Sequence, residues 1–112
     1  MGCGGNNLTN LDVSKNINLI RLYCYSNNLT EIDISNNLKL DWLWCNWNNL
    51  TALDVSKNLE LRTLEFGGNS WTEIDVSKNT KLRNLYCYEN NLTKLDLRNN
   101  MQLRNVYCMN KN

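Results

Sequence analysis

Residues 19–39 read Leu19-Ile20-Arg21-Leu22-Tyr23-Cys24-Tyr25-Ser26-Asn27-Asn28-Leu29-Thr30-Glu31-Ile32-Asp33-Ile34-Ser35-Asn36-Asn37-Leu38-Lys39. Leu22 and Cys24 alternate with Arg21, Tyr23 and Tyr25, a period of two that marks a strand. Ile32-Asp33-Ile34 repeats the alternation more briefly, which suggests a second, shorter extended segment. Nothing in the stretch spaces apolar residues for an amphipathic helix of ten or more residues, and about seven apolar side chains are left for one short segment to bury. Such a segment cannot form a core alone. It needs a copy of itself on either side.

Those copies are present. Aligned on Leu-Thr, the chain divides into 8–28, 29–49, 50–70, 71–91 and 92–112, each 21 residues long and without insertion, with residues 1–7 matching the end of a preceding repeat. The 112 residues therefore make one domain without a linker. At this period Leu22, Leu43, Leu64, Leu85 and Val106 share a column. Leu29, Leu50, Trp71 and Leu92 share another with Leu8, and Val13, Ile34, Val55, Val76 and Leu97 a third. Stacked in register, each column buries itself, and the strands form a parallel sheet with rungs about 4.8 Å apart.

The repeat unit, L-x-x-L-x-C-x-x-N-x-L-T-x-L-D-V-S-K-N, resembles the leucine-rich repeat, with cysteine where leucine is often found. The likeness spans essentially the whole chain. The 21-residue length and the cysteine column are most similar to bacterial internalin-like proteins, the internalin J type in particular. The expected architecture is a leucine-rich repeat solenoid. It has a parallel β-sheet on one face, short extended or turn segments on the other, little or no α-helix and a gentle curve. The resemblance also implies a secreted or bacterial-surface protein used in adhesion, although no signal-peptide stretch opens this sequence.

Polar columns have structural readings. Asn6, Asn27, Asn48, Asn69 and Asn90 are expected to face inward, by analogy with the family, and to bridge backbone groups of adjacent turns. Asp12, Asp33, Asp54, Asp75 and Asp96 would repel one another along the stack, so each calls for an Asx-type bond to a nearby backbone N–H such as that of Ser14. A calcium ladder is the sharper alternative for these aspartates.

Cys3, Cys24, Cys45, Cys87 and Cys108 form a column interrupted by Phe66. They are read chiefly as small buried hydrophobes with free thiols. A disulfide between adjacent rungs is the lesser alternative: the spacing allows it, but in-register side chains point the same way. No C-x-x-C spacing suggests a metal site, and no cofactor is implied.

Recognition belongs to the columns that vary. The outward strand positions are Arg21, Tyr23, Tyr25; Trp42, Trp44, Asn46; Thr63, Glu65, Gly67; Asn84, Tyr86, Tyr88; and Asn105, Tyr107, Met109. Seven of the ten aromatic residues occupy them, with Trp47 one position further on. A solvent-facing sheet does not need these rings to fold, whereas a contact surface uses them because rigid amphipathic rings bury much area at low entropic cost. The candidate partner-binding residues are Tyr23, Tyr25, Trp42, Trp44, Trp47, Glu65, Tyr86, Tyr88 and Tyr107. Gly67 and Gly68 suggest a notch between two aromatic patches. It is sized for a partner side chain or a sugar ring, or it gives room for the bulky Phe66.

Composition excludes several functions. The chain has no histidine, which removes Ser-His-Asp and Cys-His catalysis and histidine-ligated metals. A net charge of +1 lacks the basic surplus of a nucleic-acid or anionic-membrane binder. No apolar run approaches a membrane span. The expected function is a non-enzymatic binding or adhesion module that meets a protein partner on the aromatic face. The alternatives are carbohydrate binding by the same rings, or a structural repeat segment that forms a homodimer through uncapped ends.

Overall fold

The computed structural model describes residues 1–90 and 92–108. Asn91 and residues 109–112, including Met109 of the outward columns and the end of the last repeat, lie outside the described residues.

Each repeat contributes one short strand: β1 (Arg21–Tyr23), β2 (Trp42–Trp44), β3 (Thr63–Glu65), β4 (Asn84–Tyr86) and β5 (Asn105–Tyr107). They form a single five-stranded sheet in chain order. Every pair is parallel and displaced by one repeat, as in Leu22 opposite Leu43 and Leu64 opposite Leu85. Gly2 of the N-terminal partial repeat bridges to Tyr23 and extends the pattern beyond β1. No helix occurs among the described residues.

After each strand the chain turns back through the Asp-Val-Ser-Lys-Asn segment by two successive turns. In one repeat the amide of Asn37 donates to Ile34 O and that of Leu40 donates to Asn37 O; the next repeat uses Asn58, Val55 and Leu61 in the same way. The side opposite the sheet is therefore built of turns. Among the described residues, the second extended segment expected there is represented by an isolated bridge between Glu73 and Lys94.

The core is the stacked columns. Leu22, Leu43, Leu64, Leu85, Leu40, Leu61, Leu82, Val13, Val55 and Val76 are all fully buried. Phe66 and Trp71, which replace cysteine and leucine, stack on each other at 4.0 Å between ring centroids and are completely enclosed. Both enlarged side chains are thus accommodated inside the core, stacked on each other.

Two asparagine ladders tie the rungs together. In the one expected, Asn48 donates through Nδ2 to the carbonyl of Cys45 on its own rung and to that of Cys24 on the rung before, while its Oδ1 accepts from the amide of Leu29. Asn27, Asn69 and Asn90 repeat the arrangement, and only Asn6, at the end of the stack, is exposed. The second ladder was not foreseen. Asn37, Asn58, Asn79 and Asn100 are buried and donate to two carbonyls of the preceding rung; Asn58, for instance, donates to Ile34 O and Asn37 O at 3.0 Å each. The Oδ1 atoms of these four have no hydrogen-bond partner.

The aspartate column behaves as expected. Asp12, Asp33, Asp54 and Asp75 accept the backbone N–H of the serine two residues on, at 2.9 Å, and Asp96 accepts that of Arg98.

The cysteine column requires a correction. Cys3, Cys24 and Cys45 are free thiols, but Cys87 and Cys108 are joined by a disulfide. Parallel side chains on adjacent rungs do point the same way. Their Cα atoms, however, are 4.4 Å apart, at the short end of the disulfide range, so the sulfurs meet by side-chain rotation alone. Phe66 separates this pair from Cys45.

Candidate partner-binding face

Alternation along each strand sends Leu22, Leu43, Leu64 and Leu85 inward and their neighbours outward, so strand register converts the repeat into rows across the sheet. The row at the strand starts is Arg21, Trp42, Thr63, Asn84 and Asn105. The row at the strand ends is Tyr23, Trp44, Glu65, Tyr86 and Tyr107. Backbone pairing continues past the strands, with Ser26 N donating to Asn46 O, Trp47 N to Gly67 O and Gly68 N to Tyr88 O. This carries Tyr25, Asn46, Gly67 and Tyr88 into a third row. All nine residues singled out in the sequence lie on this one face or its exit edge.

The rings contact one another. Tyr23 meets Trp42 and Trp44 edge-on, at 6.1 and 5.9 Å between centroids. Tyr25 lies against Trp44 at 4.6 Å, and Tyr86 stacks on Tyr107 at 5.3 Å. The guanidinium of Arg21 sits 5.6 Å from the centre of Trp42, a cation–π contact. Polar groups link the first row, with Asn105 Nδ2 donating to Asn84 Oδ1 and Asn84 Nδ2 to Thr63 Oγ1.

The notch expected at Gly67 and Gly68 is filled. A Cβ added to Gly67 would lie 2.8 Å from Cε2 of Tyr88, and one added to Gly68 would overlap the six-membered ring of Trp47. Tyr88 comes from the following repeat and Trp47 from the preceding one, and their rings meet at 6.4 Å. Tyr88 reaches further: its hydroxyl accepts from Asn46 Nδ2 at 2.9 Å. The two glycines therefore seat rings whose contact links the two aromatic patches. Gly4 seats Tyr25 in the same way at the N-terminal end.

One feature of this edge is hidden by the sequence. Gly5, Ser26, Trp47, Gly68 and Glu89 occupy equivalent positions, and all are left-handed, with φ between 53° and 72°. Glycine adopts this conformation freely, but a bulky side chain does so at a cost. Trp47 nevertheless holds it with φ 56° and remains 47% exposed.

Glu65 is the only charged residue in the strand-end row, between Trp44 and Tyr86. Burial pushes its carboxyl above the ordinary range, and the indole N–H of Trp42 offsets part of the rise. That N–H is shielded from solvent; it lies close to the carboxylate but outside hydrogen-bond geometry. Burial pushes the Cys24 thiol up to about 12 and that of Cys45 well above its usual value, which disfavours their thiolates. Among the described residues no group of His, Cys, Asp or Glu could hold a metal ion, and no helix is long and apolar enough to cross a membrane.

One short parallel strand per repeat, asparagine-bridged turns and columns of stacked leucine define a leucine-rich repeat solenoid. No family model and no curated protein matches the chain. Solved structures do. The functional domain of internalin J from Listeria monocytogenes, described as including a cysteine ladder, superposes over 96% of this chain with a TM-score of 0.95 and 39% identity. A leucine-rich repeat protein of Leptospira interrogans superposes over 94% of it, with a TM-score of 0.85 and 21% identity. Internalin F of Listeria monocytogenes covers 84%, with a TM-score of 0.70 and 20% identity. The last two likenesses show the fold alone. The chain is a leucine-rich repeat protein of the internalin-like type. It spans only 24%, 30% and 36% of the lengths of these three chains.

Proposed function

We propose that this repeat domain is a non-enzymatic protein-binding or adhesion module of a bacterial surface or secreted protein, and that the aromatic sheet face is its contact surface. The internalin-like fold supports the general role. The observation that carries the finer reading is the collection of Tyr23, Tyr25, Trp42, Trp44, Trp47, Tyr86, Tyr88 and Tyr107 on one side of the sheet, in three contacting groups, while the core is completed without them. Rings preordered by each other lose little entropy on binding.

Filling of the glycine notch removes the cleft that a sugar ring would have entered, which favours a broad protein contact over a glycan. The test is selection of binders from a displayed library of extracellular protein domains, followed by titration of each binder against the parent and a Trp44→Ala/Tyr86→Ala variant. Loss of about 2 kcal/mol or more is expected for a contact centred on these rings. Binders that retain full affinity for the folded double variant would show that the face is not the site.

A further inference from the structure

Among the described residues, the strand rows of the aromatic face carry one carboxylate, Glu65, in no ion pair, and its surroundings specify what would complete it. Glu65 stands in register between Trp44 on β2 and Tyr86 on β4, with Trp42 diagonally beside it. Among the described residues the ion pairs are Lys81 with Glu60 and Arg98 with Asp96, and neither involves Glu65. We propose that Glu65, flanked by Trp42, Trp44 and Tyr86, is a receptor for a cationic side chain, an arginine or lysine presented by the protein partner.

This deepens, and rests on, the protein-binding reading of the face. Two independent observations support it. A carboxylate half-covered by rings is poorly hydrated, so an incoming cation regains what burial has cost it; the upward displacement of its protonation equilibrium reports the same deficit. Trp42 turns its N–H edge to the carboxylate and carries Arg21 over its ring, so the second attraction would come from the neighbouring Trp44 and Tyr86, whose ring faces carry negative potential suited to a cation. The chain already shows this chemistry within the same cluster, where the guanidinium of Arg21 rests 5.6 Å from the centre of Trp42. A guanidinium approaching Glu65 would meet a carboxylate for its N–H fork and ring surface for its plane, which is the pairing arginine is built for. An acidic or purely apolar partner group at this point would leave the carboxylate buried and unpaired, which is the costly outcome.

The test uses the whole chain and a defined probe. A capped Gly-Arg-Gly peptide and its citrulline counterpart, equal in shape but uncharged, are titrated while the indole N–H signals of the four tryptophans are followed by NMR. The arginine peptide is expected to shift Trp42 and Trp44 saturably. The citrulline peptide, and the arginine peptide on a Glu65→Gln variant, should bind about tenfold more weakly. Equal binding by the two peptides, undiminished binding to Glu65→Gln, or no saturable shift with arginine would each overturn the proposal. Failure here is distinct from failure of the face. A selected protein binder that is lost with Trp44→Ala/Tyr86→Ala yet insensitive to Glu65→Gln would leave the face as the site and remove its cation receptor.

Discussion

Replacing Gly68 by alanine should destabilise the solenoid in two separable ways. The first is local. Gly68 has φ +69°, and a Cβ in left-handed backbone costs about 1–2 kcal/mol. The second is contact with another repeat, because the new methyl would occupy the space of the Trp47 ring. Trp47 is 47% exposed, so the ring can swing outward and leave the backbone undisturbed. What is then lost is its covered half, about 100 Å² of apolar contact, worth up to about 2.5 kcal/mol. The expected total is about 2–4 kcal/mol. Urea unfolding followed by far-ultraviolet circular dichroism gives the stability, and the emission of Trp47 should move to the red as the ring becomes hydrated. The cycle of Gly68→Ala, Trp47→Ala and the double variant isolates the contact: with the ring absent, the methyl should cost only its backbone share, giving a coupling of about 1–2 kcal/mol. Gly5→Ala is a second reference, since it shares the left-handed backbone, with φ +72°, and a Cβ there meets nothing within 4 Å. Additive effects of Gly68→Ala and Trp47→Ala would refute the claim that Gly68 seats the ring.

Other perturbations address the framework. Asn69→Ala removes donors to the carbonyls of Cys45 and Phe66 and the acceptor for Leu50 N, all buried, and should cost about 3 kcal/mol or more by urea unfolding, whereas Asn6→Ala at the exposed end should cost under about 1 kcal/mol. Thiol titration of the unfolded, unreduced chain should find three thiols, rising to five after reduction; in the folded state Cys3 should alkylate first and Cys24 and Cys45 resist. Cys108→Ser opens a loop spanning 21 residues and should cost about 3 kcal/mol under oxidising conditions. The Ser-bonded carboxyls of Asp12, Asp33, Asp54 and Asp75 are held below their ordinary value of 3.8, so their stabilisation is present above that pH and lost as pH falls through their folded values; acid unfolding should set in below about pH 4. Glu65 acts in the opposite sense: its carboxyl is raised on folding, so its charged form opposes folding at neutral pH, and Glu65→Gln should stabilise at pH 7 by under about 1 kcal/mol and lose that advantage at pH 4.

Strict 21-residue spacing made the fold legible because it fixes the register: once Leu22 pairs with Leu43, every other column follows. The aromatic face was legible for the same reason, since alternation within three residues decides which side chains point out. What the repeat alignment could not convey was contact across rungs. Gly67 and Gly68 read as empty space in their own repeat, yet the rings that fill it come from Trp47 and Tyr88 on either side. The ladder from Asn37 to Asn100 was concealed differently. Those residues sit in turn sequences, where asparagine is expected for its backbone preferences alone, so nothing in the letters distinguishes a solvated turn from a buried bridge. The Cys87–Cys108 bond depended on rotation about side chains whose Cα separation the period alone leaves within bonding range.

The exit column allows packing and the proposed binding role to be tested separately at one residue. Its positions at 5, 26, 47, 68 and 89 share one left-handed backbone conformation. Stability alone would place glycine there, and Gly5 and Gly68 meet that requirement. Ser26 and Glu89 depart from it with flexible or small side chains. Trp47 departs from it with the largest side chain available, and nearly half of that ring stays in water. If the proposed contact surface extends to this edge, the strained Trp47 is the residue whose two roles, packing and binding, can be separated. Trp47→Gly should therefore relieve the backbone by about 1 kcal/mol, offsetting part of the lost ring contact, so the variant should be destabilised less than Trp47→Ala. It should nevertheless weaken any binder selected on this face by at least as much as Trp47→Ala does. If instead Trp47→Gly binds as the parent does, the ring is packing for Tyr88 and Gly68, and the contact surface ends at Trp44.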